Sequence, residues 1–222
     1  MNPTEMTFFD EKWKHLLLIH QFGVNEIETK LGILNDEYEF LHDYNPIDRI
    51  SSRIKDPREI VNKLLRMGLE PNASNAYKHL RDIGGVRVTC SFSKDVYSIA
   101  SLLRHQADIK VIDVKDYIKN PKANGYRSLH MIVETPIYLS STVMPVVVEV
   151  QFRSVSMDLW AGIEHKIYYK SAVNIPESLS RRLGACADKL DELDKELYQI
   201  KQEIDQYTDK TMVAAVSSPA RS

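Results

Sequence analysis

Four short stretches of this chain combine acids, cations and small residues in ways that suit phosphate and metal chemistry. The first is Val146-Val147-Val148-Glu149-Val150-Gln151-Phe152-Arg153. Period-two geometry puts Val146, Val148, Val150 and Phe152 on one face of a strand and Val147, Glu149, Gln151 and Arg153 on the other. The apolar set faces a core. Acid, amide and cation then stand in a row spaced to touch one bound ligand, although a solvated sheet surface is the plainer alternative. The second stretch is Arg81-Asp82-Ile83-Gly84-Gly85-Val86-Arg87. Its glycines let the backbone come close to a ligand as the chain enters a strand. Asp82, just before them, could hold a hard cation, and Arg87 alternates out of the core face. A turn acid and an ordinary edge charge would account for the same residues. The third is the loop Asn120-Pro121-Lys122-Ala123-Asn124-Gly125-Tyr126-Arg127-Ser128-Leu129-His130. A flat ring beside cations can stack a base and bind its phosphates, but Asn-Gly is also simply a turn. The fourth, Arg53-Ile54-Lys55 with Lys63 and Arg66, adds a basic group on or near a helix, which a solvated helix face would explain equally well. Neither GxxxxGK(S/T) nor GxGxxG occurs, so a P-loop is excluded and no dinucleotide fingerprint is present.

Positioning these groups requires a mixed α/β core. From Trp13 to Leu41 apolar residues recur at steps of three and four, the pattern of an amphipathic helix, weakened by Gly23 and Gly32 and ended at Asn45-Pro46. A second helix is predicted from Pro57 to about Met67, with Gly68 just past its end. Strands are predicted at 85–92, 109–114, 129–134 and 146–152, with a helix over 94–105 and a loop over 119–125. The expected sheet has about four or five strands. After Val155 the chain reads as helical. Leu183, Cys186, Leu190, Leu193, Leu197, Ile200, Ile204 and Tyr207 alternate steps of three and four, which suits a coiled-coil seam and points toward a homo-oligomer. Helices at both ends can equally fold back on the core. The expected organisation is a helical segment over 1–44, a catalytic domain over 45–172, a packing or oligomerisation helix over 173–209 and a flexible tail over 210–222.

Composition narrows the function classes. The 222 residues are 43% hydrophobic, enough for a real core, and the formal net charge is −2. No global basic field would hold a polynucleotide, so nucleic acid is not an expected partner and any anion site is a local cluster. Two cysteines without CxxC spacing exclude a Cys-rich zinc site and suit a thiol-tolerant cytoplasmic setting. The N-terminal MNPTEMTFFDEKWKH carries acids and lacks the apolar run of a signal peptide. No stretch of 18 or more apolar residues suggests a membrane span.

Taken in order, Arg53-x-Lys55, Arg81-Asp82-x-x-Gly85-x-Arg87, Lys115-Asp116-Tyr117-Ile118, Asn120-Pro121-Lys122-x-Asn124-Gly125-Tyr126-Arg127-Ser128-Leu129-His130 and Glu149-Val150-Gln151-Phe152-Arg153 resemble the (p)ppGpp synthetase domain of the RelA/SpoT family. Glu164-His165-Lys166-x-Tyr168-Tyr169-Lys170 continues the likeness, which spans about residues 45 to 170. The chain is similar to stand-alone small alarmone synthetases, closer to the RelP than the RelQ type. The resemblance implies a nucleotidyltransferase-like α+β core with N- and C-terminal helical extensions. It also implies transfer of the β,γ-pyrophosphoryl group of ATP to the 3′-hydroxyl of GTP or GDP, a homotetramer, and Mg²⁺ held by Asp82 and Glu149. Glu149 is further implied to accept the 3′-hydroxyl proton. Arg53 and Arg87 would sandwich adenine, with Lys55 and Lys63 on the ATP phosphates. Lys115, Lys122, Asn124, Tyr126, His130 and Gln151 would bind the acceptor, Tyr126 by stacking on guanine. Three positions depart from the pattern: Glu59 where relatives often have Ser, Asp113 where some have a cation, and Arg49 where RelQ-type enzymes carry an aromatic used to bind an activating alarmone. Activation by (p)ppGpp is therefore not implied. A catalytically silent nucleotide- or RNA-binding regulator and a purely structural oligomer are the competing classes, and neither accounts for five ordered motifs.

Overall fold

The three-four spacing that begins at Trp13 folds as helix α1, Glu11–His42, and buries Trp13, Leu16, Ile19, Val24, Ile27, Leu31 and Leu34. A computed structural model of the chain describes residues 11–169 and 176–216. Asp43, at a φ of 49°, ends α1 in the left-handed region. Strand β1 follows at Ile47–Ile54. Helix α2, Pro57–Arg66, opens on Asp56, whose carboxylate accepts from the Arg58 N–H at 2.8 Å, and Gly68 lies past its end at a φ of 71°. The remaining elements are α3 (Ala73–His79), β2 (Gly84–Cys90), α4 (Ser93–Arg104), β3 (Lys110–Asp116), β4 (Leu129–Tyr138), β5 (Val143–Ser154), α5 (Val155–Tyr169) and α6 (Glu177–Val216).

Two compact units result: Met1–Lys122 with Arg127–Val155, and Ala123–Tyr126 with Ser156–Ser222. The first holds a five-stranded sheet in the order β1-β2-β5-β4-β3, with β2 and β5 parallel and every other pair antiparallel. Val86, Val88, Val148, Val150, Phe152, Met131 and Val133 form the core face, covered by Val24, Ile27 and Leu31 of α1 and Val96, Ile99 and Leu103 of α4. A smaller cluster of Trp13, Leu16, Ile60, Leu64, Leu80 and Ile83 ties α2, α3 and the approach to β2 to the start of α1. The N-terminal helix therefore folds back on the sheet within the same unit.

The α+β class and the four expected strands agree with the sequence reading. The fifth strand, β1, was expected only as basic residues beside a helix. Its isoleucines, Ile47, Ile50 and Ile54, are spaced by three and four, which mimics a helix, and a register shift lies between Ile47 and Arg49. As an edge strand it buries only Ile47. Short helix α3 also lacked a legible period.

In the second unit, Trp160 and Ala161 of α5 bury with Ala187 of α6, and Tyr126, Leu183 and Leu190 pack against them. Trp160 Nε1 donates to Leu183 O at 2.9 Å, and Ser156 Oγ donates to Asp194 Oδ1 at 3.0 Å. Gly125 is required twice, by a φ of 92° and because a Cβ there would lie 2.9 Å from Ala187 Cβ. The seam read from the sequence divides here. Leu183 and Leu190 are half-buried within the unit, whereas Leu193, Leu197, Ile200, Ile204 and Tyr207 are exposed. On α5, Leu159, Ile163 and Ile167 form a second exposed row. Helix α6 runs through Val216, so 210–216, expected as tail, are helical. Residues 1–10, Lys170, the 172/173 boundary and 217–222 lie outside the described residues. Among the described residues no helix is long and apolar enough to cross a membrane.

The two glycines of α1 have opposite standing. A Cβ on Gly23 would sit 2.7 Å from Val146 Cγ1 and 3.2 Å from Val148 Cγ2, both on fully buried valines that have no room to yield. Gly32 would meet nothing within 4 Å. Gly23→Ala is predicted to destabilise by about 1–3 kcal/mol through overpacking. Gly32→Ala is predicted to stabilise by about 0.5–1 kcal/mol through helix propensity. Urea midpoints of the two variants should move in opposite directions; movement in the same direction would contradict the packing argument.

Candidate active site

Residues opposite one another on neighbouring strands share a face of the sheet. One such row crosses all five strands: Ser51, Arg87, Gln151, His130 and Lys115. The next row holds Arg53, Gly85, Glu149 and Ile132. Both lie on the face opposite the valine core, so the strand parity read from Val146 to Arg153 is the one observed. Over the β1–β2–β5 part of this face opens a cleft of about 270 Å³, lined by Arg53, Lys55, Asp82, Arg87, Glu149 and Gln151 among others. The expected ATP-side residues and both candidate metal acids therefore meet in one place.

Asp82 enters the cleft from the turn before β2. Its Oδ2 accepts from Lys55 Nζ and, at 2.7 Å, from Lys63 Nζ. Burial alone would raise the Asp82 pKa; the hydrogen bonds and charges of the two lysines outweigh it and hold the carboxyl below its ordinary range. Glu149 resists burial similarly. His130 Nδ1 lies 3.2 Å from its Oε1, and Gln151 Nε2 donates to its Oε2 at 3.0 Å. These contacts lower its pKa against burial and against the nearby charge of Asp82. Both acids are ionised at neutral pH.

The acceptor-side residues fall into two groups. In the first unit, Lys115 lies opposite His130, the Tyr117 ring packs edge-on to His130 at 5.3 Å, and Lys122 Nζ sits 4.8 Å from the Tyr117 centroid. Lys122, Tyr117, His130 and Glu149 thus form a contact chain. In the second unit, Asn124 Oδ1 accepts from the Tyr126 N–H at 3.1 Å while its Nδ2 donates to Glu164 Oε1 at 3.2 Å, and Tyr126 packs beside Trp160. The Asn124 side chain holds the turn. Two of the departures acquire partners: Glu59 lies 4.0 Å from Arg53, and Asp113 lies 3.8 Å from Lys115. Each places a carboxylate on a cation expected to meet nucleotide. Sequence reasoning missed Ser51 and Ser52, which line the cleft, and quoted Tyr117 within a motif without assigning it the contact that braces His130. Recognising β1 as a strand would have found the serines.

The Mg²⁺ implied by resemblance can be tested against these residues. Asp82 Oδ1 is buried without a hydrogen-bond partner, an acceptor suited to a cation. Among the described residues no three His, Cys, Asp or Glu form a protein-only metal cage. Mg²⁺ is commonly held by one or two carboxylates together with substrate phosphates and water. Asp82 and Glu149 fit that pattern.

The sequence profile described as "Region found in RelA / SpoT proteins" matches residues 52–174. The chain is 43% identical over 195 residues to the GTP pyrophosphokinase YwaC of Bacillus subtilis, covering 88% of this chain and 93% of that protein. It superposes on the crystal structure of small alarmone synthetase 2 from Bacillus subtilis with a TM-score of 0.78 at 41% identity, covering 87% of this chain and 100% of the other. Small alarmone synthetase 1 from Bacillus subtilis bound to its product pppGpp gives a TM-score of 0.78 at 33% identity, covering 88% and 99%.

A depressed carboxyl pKa means the unfolded state binds the proton more readily, so the stabilising contribution is complete above the ordinary value and is lost as pH falls through the folded one. For Asp82 that loss lies below about pH 3.8. In metal-free buffer, Asp82→Asn is predicted to flatten the acid limb of stability measured by urea unfolding against pH. An acid limb as steep as that of the wild-type protein would show that the two lysines do not govern this group.

Proposed function

Because the chain belongs to the RelA/SpoT family, we propose that it is a GTP pyrophosphokinase, moving the β,γ-pyrophosphoryl group of ATP to the 3′-hydroxyl of GTP or GDP and releasing AMP. One observation carries this reading: two ionised carboxylates and at least four cations converge on one cleft of the sheet. In the reaction the acceptor 3′-oxygen bonds to the β-phosphorus, the α,β-bridging bond breaks toward AMP, and the hydroxyl proton must leave. Such transfers depend on positioning and charge neutralisation more than on covalent help from the protein.

Arg53 and Arg87, on neighbouring strands, present planar guanidinium groups to either side of adenine. Lys55 and Lys63 bind the ATP phosphates, exchanging the Asp82 oxygen for phosphate oxygens. Asp82 and Glu149 would hold Mg²⁺, which supplies neutralisation of the charge on the transferred group. Glu149, ionised and beside His130, also accepts the 3′-hydroxyl proton. Gln151 and His130 orient the acceptor, Lys115 and Lys122 receive its phosphates, and Asn124 and Tyr126 are assigned to the guanine. The working form is a cytoplasmic homotetramer whose contacts use the exposed apolar rows of α5 and α6.

Incubation with ATP, GTP and Mg²⁺ should yield AMP and a guanosine pentaphosphate, and Glu149→Gln should lower kcat by about 100-fold or more. No AMP across metals and acceptors would refute the activity; near-normal turnover by Glu149→Gln would refute the role of that carboxylate. Light scattering should give a mass near four times 25.6 kDa. Leu197→Asp with Ile200→Asp should lower it. A wild-type mass of one chain would exclude the assembly.

A further inference from the structure

Arg153 ends the row that begins at Glu149 and Gln151, and its charge is almost wholly buried at 7% exposure. Burying a guanidinium is costly unless its donors are used. Same-face neighbours on a strand are two residues apart, close enough for long side chains to meet. Here Arg153 Nη2 donates to Gln151 Oε1 at 3.3 Å, and Gln151 Nε2 in turn donates to Glu149 Oε2 at 3.0 Å.

A primary amide has two nearly isosteric ends, one accepting and one donating. Toward Glu149 only the donating end is favourable, because the carbonyl would face a carboxylate. Arg153 can only donate, so it selects the carbonyl of Gln151 and turns the NH₂ group toward Glu149. Arg87 and His130, which flank Gln151 in its row, are other groups that could draw the amide out of line. We propose that Arg153 is a positioning residue: by fixing which way the Gln151 amide points, it sets the orientation of the Glu149 carboxylate. It touches no reacting atom.

The kinetic part of this inference rests on the pyrophosphotransfer reading, and a crystallographic readout separates the two. Arg153→Gln is shorter but still able to hydrogen-bond, and it removes the donor-only constraint. Its kcat should fall about 10- to 100-fold, the usual effect of losing an outer partner of a ligating group, while the KM for ATP stays within about twofold. In a Gln151→Met background the same substitution should cost little more, because both act through one contact. An equal loss in both backgrounds, or no loss at all, overturns the proposal. Should Arg153→Gln not fold, the cycle is run with Arg153→Met, which removes the donor altogether: a loss that vanishes in Gln151→Met supports the relay, and a persistent loss or none overturns it. In a crystal structure of the foldable variant, Gln151 Nε2 should leave Glu149 Oε2 or occupy two orientations; an unchanged 3.0 Å contact overturns the proposal whether or not the wild-type protein makes AMP.

Discussion

The parallel ladder between β2 and β5 is the constraint on which the site depends. Gly85 stands opposite Glu149 and Arg87 opposite Gln151 in that register. A slip of one residue would send Glu149 and Gln151 into the valine core and turn Val148 and Val150 outward. Parallel neighbours need a crossover rather than a hairpin, and α4, β3 and β4 supply it. Two glycines then clamp α1 across the pair. Gly23 of the helix lies against Val146 and Val148 of β5, while a Cβ on Gly84 of β2 would sit 2.8 Å from Val24 Cγ2. One glycine on the helix and one in the strand let the backbones approach, so the same contact seats the helix and holds the ladder.

With the ladder in place, charge is distributed by strand parity. A chain of net charge −2 concentrates Arg53, Lys55, Lys63 and Arg87 around one cleft. Its acids neither repel one another out of the site nor neutralise themselves by taking protons, because each has its own donors: two ammonium groups for Asp82, an imidazole and an amide for Glu149. Glu59 and Asp113 add carboxylates at the two edges of the sheet, on β1's Arg53 and β3's Lys115. They temper two cations that are well exposed to solvent, where a surface pair adds little stability and chiefly changes the local field.

How much of this was legible in the sequence depended on burial. Val146 to Phe152 could be read with the right parity because one face is wholly buried and alternation is strict. Asp82 and Glu149 were singled out from a glycine pair and from that parity, and the structure brings them into one cleft. Edge strand β1 was illegible because it has one neighbour and exposed serines. Without it the place of Arg53 opposite Gly85 could not be seen. Seam residues Leu183 to Tyr207 were read as one surface, yet half-buried Leu183 and Leu190 pack within their own unit. Periodicity reports that a helix face is apolar, and it does not report what covers each turn. Asn124 shows a related limit: the resemblance implied an acceptor contact, and the sequence could not show that its amide also ties the loop to the Tyr126 N–H and to Glu164.

Asp82 also explains how a site built for polyphosphate can fold without one. Two lysines share a single carboxylate oxygen, and the trio keeps a net positive charge while the other oxygen is left bare in a buried position. Like charges so close are tolerated only because the acid sits between them. Under the proposed function, incoming phosphate would replace the acid as partner of the lysines, and Asp82 would then be available to hold a cation accompanying that phosphate. Each such exchange would trade one ion pair for another, leaving neither lysine nor aspartate stranded in the half-buried cleft. The balance requires both lysines and the single acid together, which is why Lys55 from the end of β1, Lys63 from α2 and Asp82 from the turn before β2 belong to one device.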